Sequence, residues 1–166
     1  MFQTIVSRIA WFFALWLLQV LVFNHVHIFG YATPMPYVYF LLILPVSTPR
    51  WAYVLSGFVL GLLIDIFANT PGMAACALTL TGLFTPWLVN VFRPSDDDEN
   101  FAPSRKTMEW SGFTKLIVAA VSLHCIAFFL LETFSFVDFH EILIQIVSSS
   151  LLTSLFCVAL ELIRVK

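Results

Sequence analysis

Charge is what this chain has least of. Only 11% of its 166 residues are Asp, Glu, Lys or Arg, less than half of the roughly 25% found in soluble domains. That scarcity excludes a water-facing surface around an ordinary globular core. The net charge of −2, with no basic patch interleaved with aromatics, gives nucleic acid nothing to bind. Cysteine is sparse as well. Cys76, Cys125 and Cys157 all sit in apolar runs, an odd number with no short pairing, so neither a disulfide framework nor a metal set is implied. No His-Glu-x-x-His, Gly-x-Ser-x-Gly or P-loop is present, and although His124 stands beside Cys125 within an apolar run, no plausible nucleophile and base are set out in a catalytic pattern. The expectation is therefore no catalytic residue, no metal, no cofactor and no enzyme.

What the chain does have is hydrophobicity. Apolar residues make up 60% of it and the mean hydropathy is +0.94, the composition of an integral membrane protein. The length holds five or six segments of about 20 residues. The expected fold is an all-α integral membrane protein, a compact bundle of about six transmembrane helices in a single domain over residues 1–166, with a polar cytoplasmic loop at about 93–112.

Taken in order, an apolar run from Ile9 to Phe29 reads as a first transmembrane helix, with Asn24, His25 and His27 near its far end. Two residues apart on a helix, His25 and His27 diverge by about 200°, which suits interfacial histidines rather than one metal. Gly30 to Pro36 forbids regular helix. The apolar stretch Tyr37 to Ser47 that follows rises only about 17 Å as a helix, short of a ~30 Å hydrocarbon core. If it spans, all eight Lys and Arg fall on one side, which the positive-inside tendency makes cytoplasmic. The segment therefore spans, with extended or unwound ends covered by neighbours, and both termini are cytoplasmic.

The third segment runs from about Ala52 to Asn69 and the fourth from about Met73 to Phe92, kinked at Pro86, whose lost hydrogen bond Thr85 or a neighbouring helix can compensate. Arg93 to Gly112 carries Asp96-Asp97-Asp98-Glu99 and then Arg105 and Lys106, a solvated cytoplasmic loop. The fifth segment, about Phe113 to Leu131, contains His124. The sixth, about Ile142 to Ile163, opens with Ser148-Ser149-Ser150 and Thr153, which can bridge helices in lipid. Glu161 and Arg164 are spaced for a local i,i+3 pair.

The stretch Gly57 to Gly82 organises the rest. Gly57, Gly61, Asp65 and Asn69 share one helical face at about 100° per residue, and the helix breaks at Asn69-Thr70-Pro71-Gly72. Asp65 is the carboxylate inside this span, and an ionised carboxylate in lipid costs on the order of 2.5–3.5 kcal/mol at mid-bilayer. Asn69, Thr70 or the amides opening the fourth helix can offset that cost. The sharper alternative makes Asp65 a proton carrier or an anchor for a cationic substrate. Gly57 and Gly61 fit the small-xxx-small pattern of close helix approach, within a chain or between chains.

Pro34-Met35-Pro36-Tyr37-Val38-Tyr39-Phe40 ending at Leu44-Pro45, then Gly57 to Asp65, then Asn69-Thr70-Pro71-Gly72-Met73-Ala74-Ala75 resembles the rod shape-determining protein MreD family. The match is most specific over about residues 30–48 and 57–82. The resemblance implies a membrane subunit of the bacterial cell-wall elongation machinery, beside bitopic MreC, actin-like MreB, RodA and a class B penicillin-binding protein. It also implies a fold similar to the S-components of energy-coupling vitamin transporters. The family's glycine and aspartate positions fall on Gly57, Gly61, Asp65 and Gly72, whereas the acidic run 96–99 has no counterpart in its pattern.

Two functions follow as expectations. In one, a non-enzymatic scaffold receives an MreC-like transmembrane helix on the face of Gly57 and Gly61. In the other, an S-component binds a vitamin-like substrate in an outward pocket near Asp65, His25 and the 132–141 loop. That second role needs a polar, aromatic-rich wall, which the short outer loops are poor in residues to supply.

Overall fold

Apolar segments in lipid must satisfy their own backbone groups, and only helices do so within one segment. The computed structural model describes residues 2–25, 32–93, 101–133 and 139–164. It is built from α1 (Phe2–Leu21), a short α2 (Tyr39–Leu42), α3 (Arg50–Ala68), α4 (Met73–Phe92), α5 (Glu109–Glu132) and α6 (Phe139–Arg164). In α3, α4, α5 and His140–Arg164 of α6, four helices are long and apolar enough to cross a membrane. The chain is a multi-pass helical membrane protein.

The ends of the helices sort by charge. Gln19 in the last turn of α1 and Asn24 just beyond it, Phe67, Ala68 and Thr70 at the end of α3, Phe128, Phe129 and Glu132 at the end of α5, Ala74 at the start of α4 and Gln145 near the start of α6 all line one cavity. The opposite ends hold Arg50, Arg93, Lys115 and Arg164, with Arg105 and Lys106 beside them. One end of the bundle is thus basic and the other holds the cavity.

The core is threaded by residues 32–44. Pro34 and Pro36 deny this stretch a regular helix, so it runs as irregular chain, a 3₁₀ turn at Pro36–Val38 and the four residues of α2. From Met35 to Leu44 every residue is buried. A continuous apolar run of this kind reads as packed on all sides. Its unpaired amides are met by α6: Thr33 N donates to Ser149 Oγ at 3.0 Å and Met35 N to Thr153 Oγ1 at 3.0 Å. The expected bridging by the α6 hydroxyls thus serves the strut's backbone, and Ser150 also meets Ser122 of α5 at 3.1 Å. At its lower end Tyr53 donates to the carbonyls of Leu44 and Pro45 at 3.1 and 3.0 Å.

Several boundaries differ from expectation. The first helix ends at Leu21 and passes into a 3₁₀ turn at Phe23–His25, where Phe23 packs edge-on against Phe156 of α6 at 4.9 Å; a tertiary contact, not a glycine or proline, stops it. His27 and the acidic residues Asp96 to Glu99 lie outside the described residues. The described part of the 93–112 loop packs against the bundle. Val46 N donates to Phe101 O at 3.0 Å, Arg164 Nη1 donates to Pro103 O at 3.3 Å, and Pro103, Ser104 and Met108 are buried. Helix α5 begins at Glu109 rather than near Phe113. Thr85 Oγ1 donates to Thr81 O at 2.7 Å, whereas the carbonyl deprived of its amide by Pro86 is that of Gly82, so Thr85 does not compensate the proline.

Candidate functional site

The turn after α3 is built by its own residues. Asn69 takes a left-handed backbone at φ 56° and closes the helix onto Asp65 O. Pro71 forbids its continuation, and Gly72 then turns the chain at φ 81°, a region open to glycine without cost. Gly72 therefore caps α4 without offering it a side chain. Asp65 supplies what is missing. Its Oδ1 accepts from Ala74 N at 2.9 Å and Thr70 Oγ1 at 2.7 Å, and its Oδ2 accepts from Ala75 N at 2.8 Å. A helix start leaves its first amides unpaired and carries partial positive charge, and a buried carboxylate reaching across from the neighbouring helix answers both.

Gly57 and Gly61 lie on the same face, and that face is occupied. A Cβ on Gly57 would stand 2.7 Å from Leu78 O, and one on Gly61 would meet the backbone of Ala75 and lie 2.6 Å from Ala74 O. Gly82 repeats the arrangement from the other side, 2.7 Å from Tyr53 O. The expectation that Gly57 and Gly61 form an open partner-binding face is corrected: α4 of the same chain fills it. Close approach of the two backbones instead leaves a shallow apolar groove on the outside of the pair. The groove, of about 450 Å³, is lined by Val54, Phe58, Leu62, Cys76, Leu80 and Leu83 among others.

A larger cavity of about 710 Å³ opens at the end opposite the basic residues. Its polar wall comes from helix ends, the buried stretch 32–44 and the turn after α3: Gln19, Asn24, Thr33, Tyr37, Thr70, Glu132 and Gln145. The sequence places an outward pocket near Asp65, His25 and the 132–141 loop, and the cavity lies beside those residues, but its polar groups at the helix ends, Gln19 and Gln145, were not foreseen. Gln19 was legible in principle, being the lone polar residue between Ile9 and Phe23 if tryptophan is counted apolar. Behind the cavity, Tyr37 Oη and His124 Nε2 share a hydrogen bond of 2.9 Å, with Thr81 Oγ1 at 3.4 Å from His124 Nδ1. Burial of a histidine in lipid demands such partners.

The chain matches no protein-family model, no curated protein and no solved structure. Its functional residues must therefore be argued from geometry.

Glu161 shows what sequence spacing hid. Its pair with Arg164 exists at 3.4 Å, but the carboxylate is fully buried, accepts from Arg105 N at 2.9 Å and holds the Tyr39 hydroxyl. It ties the buried stretch 32–44, the 93–112 loop and α6 together at the basic end. Among the described residues Asp65 is thus one of two buried carboxylates, and each is satisfied by donors from other segments. Among the described residues, no group of three or more His, Cys, Asp or Glu side chains is placed to hold a metal.

Proposed function

We propose that the chain is a non-enzymatic scaffold subunit of the bacterial cell-wall elongation machinery, of the MreD kind, in the cytoplasmic membrane with both termini inside. The observation that carries this reading is a coincidence of place. The two stretches that resemble the family, about 30–48 and 57–82, are the ones that build the buried strut and the glycine-packed α3–α4 pair. The basic end supports the sidedness, since Lys and Arg favour the cytoplasmic face.

The partner is an MreC-like bitopic protein, and through it MreB, RodA and a class B penicillin-binding protein. Its transmembrane helix lies in the apolar groove between α3 and α4 rather than on the glycines, because in lipid such association depends on shape and close packing. Gly57 and Gly61 act indirectly, by fixing the depth of that groove. Affinity purification from native membrane in mild detergent tests this. Recovery of a bitopic partner with elongation enzymes, reduced in Cys76→Trp at unchanged protein level, is the expected result. Recovery of an ATPase-bearing energy-coupling module instead would overturn it. The second reading, an S-component of a vitamin transporter, gains support from the polar cavity, which is within the usual size of a small-molecule site, about 300–1,000 Å³.

A further inference from the structure

The α3–α4 pair treats charge differently at its two ends. At the outer end the Asp65 carboxylate is answered by Thr70, Ala74 and Ala75. At the basic end Arg50, the first residue of α3, is exposed, and its guanidinium has no hydrogen bond or ion pair among the described residues. Arg164, by contrast, is used by the fold, bound to Glu161 and to the carbonyl of Pro103. Arg50 is left to meet something outside the bundle.

The register of the pair fixes where it stands. Gly61 packs on Ala75, Gly57 on Leu78 and Gly82 on Tyr53, so Arg50 lies level with Pro86 and Trp87 of the antiparallel α4. There the surface is hollowed into a pocket of about 340 Å³ lined by Arg50, Leu83, Phe84, Pro86 and Trp87. Arg50 is its one charged residue, and Trp87 is 62% exposed. The 19 residues of α3 rise about 28 Å, close to the ~30 Å of a hydrocarbon core. With Ala68 at one boundary of that core, Arg50 falls at the other, where lipid headgroups begin and tryptophan is enriched. Arg93 lies beyond Trp87 along the chain, about 9 Å farther from the core by helix rise.

Charge and shape select the occupant. An apolar hollow alone would take any acyl chain, but a guanidinium beside it favours a chain whose headgroup is a net anion, and arginine matches phosphate with two parallel hydrogen bonds. A zwitterionic headgroup brings its own cation to compete. A partner helix needs walls on both sides, as in the groove above Leu83; at the pocket the α3 wall is Arg50 alone.

We propose that this pocket binds one anionic phospholipid, with its phosphodiester on Arg50, its glycerol region against Trp87 and an acyl chain over Phe84 and Leu83. The pocket meets the α3–α4 groove at Leu83, so the lipid closes the basic end of that groove. The site depends on Arg50 and on the depth of α3, not on the identity of any protein partner.

The full-length protein, purified without partners into phosphatidylcholine nanodiscs, tests it. A trace of phosphatidylglycerol or of phosphatidylcholine carries a diazirine in one acyl chain, and adducts are mapped by mass spectrometry. Leu151 and Leu155 of α6, 69% and 68% exposed, serve as the lipid-facing reference. The phosphatidylglycerol probe should label residues 83–87 about fivefold more than the phosphatidylcholine probe, the preference that the attraction of one arginine near an anionic lipid supplies, and neither should be preferred at the reference. Arg50→Gln should remove the preference at unchanged thermal stability, and Arg93→Gln should leave it. Equal labelling of 83–87 by the two probes, an equal preference at the reference, its survival in Arg50→Gln or its loss in Arg93→Gln would overturn the proposal. If Arg50→Gln lowers stability, competition on the unaltered protein replaces it. Unlabelled phosphatidylglycerol should cut labelling of 83–87 several-fold while the reference holds, and an equal fall at both would overturn the proposal.

Discussion

The two flanks of the bundle are built to opposite standards. On the α3–α4 flank the backbones touch through Gly57, Gly61 and Gly82, and each oxygen of the buried Asp65 carboxylate has a donor. On the α1 flank, three buried polar atoms, Trp16 Nε1, Gln19 Oε1 and Asn24 Nδ2, have no partner among the described residues, and Gln19 and Asn24 belong to the wall of the cavity of about 710 Å³. Lipid cannot hydrogen-bond to either flank. A satisfied, close-packed interface is therefore structural, and an unsatisfied, open one is where binding can be favourable.

Breaking the tight flank should have the largest effect. Gly61→Leu drives a side chain into the α4 backbone and can be relieved only by separating the helices. A loss on the order of 4–5 kcal/mol is expected, read as failure to recover monodisperse protein from membranes. Asp65→Ala leaves the Ala74 and Ala75 amides and the Thr70 hydroxyl without their acceptor. At about 1–3 kcal/mol for each buried group left unmet, it should lower thermal stability markedly in detergent. If Asp65 were instead a proton carrier, the variant would keep its stability and lose function alone.

Tyr37→Phe sharpens the comparison at the boundary between the flanks. It removes one buried hydrogen bond to His124 and should cost about 1–2 kcal/mol, measured by the same melt. Gln19→Leu should do least. It removes the unmet Gln19 Oε1 together with the donor to Asn24 Oδ1, so the two effects offset and stability should change little.

The tight flank was largely legible in the sequence. Two glycines four apart, a carboxylate one turn on and an Asn-Thr-Pro-Gly break state a helix, its end and the polar group that needs a partner. The fourth helix, Met73–Phe92, falls where hydropathy and the Gly72 turn place it. The irregular, buried stretch 32–44 was legible in part, because Pro34 and Pro36 forbid regular helix and the apolar run after them asks for burial. What spacing could not state is which surface a glycine face meets. Small-xxx-small describes close approach and leaves the neighbour open, and here that neighbour is α4 of the same chain. The cavity was hidden for a related reason. Its polar residues lie on five segments, from Gln19 to Gln145, and only the packing of helix ends brings them together. Glu161 read as a local pair because an i,i+3 partner was in view, while Tyr39 and the Arg105 amide are 122 and 56 residues away.

The measurement that tests the account most directly is photocrosslinking in native membranes from two positions. A benzophenone amino acid replaces Phe58 in the α3–α4 groove, and in a second variant it replaces Ile144, a comparably exposed position on α6 outside that groove. The scaffold account predicts a crosslink to one bitopic membrane protein from position 58 and none to it from position 144. Equal yields of that adduct at the two positions, or only lipid adducts from the groove, would contradict it.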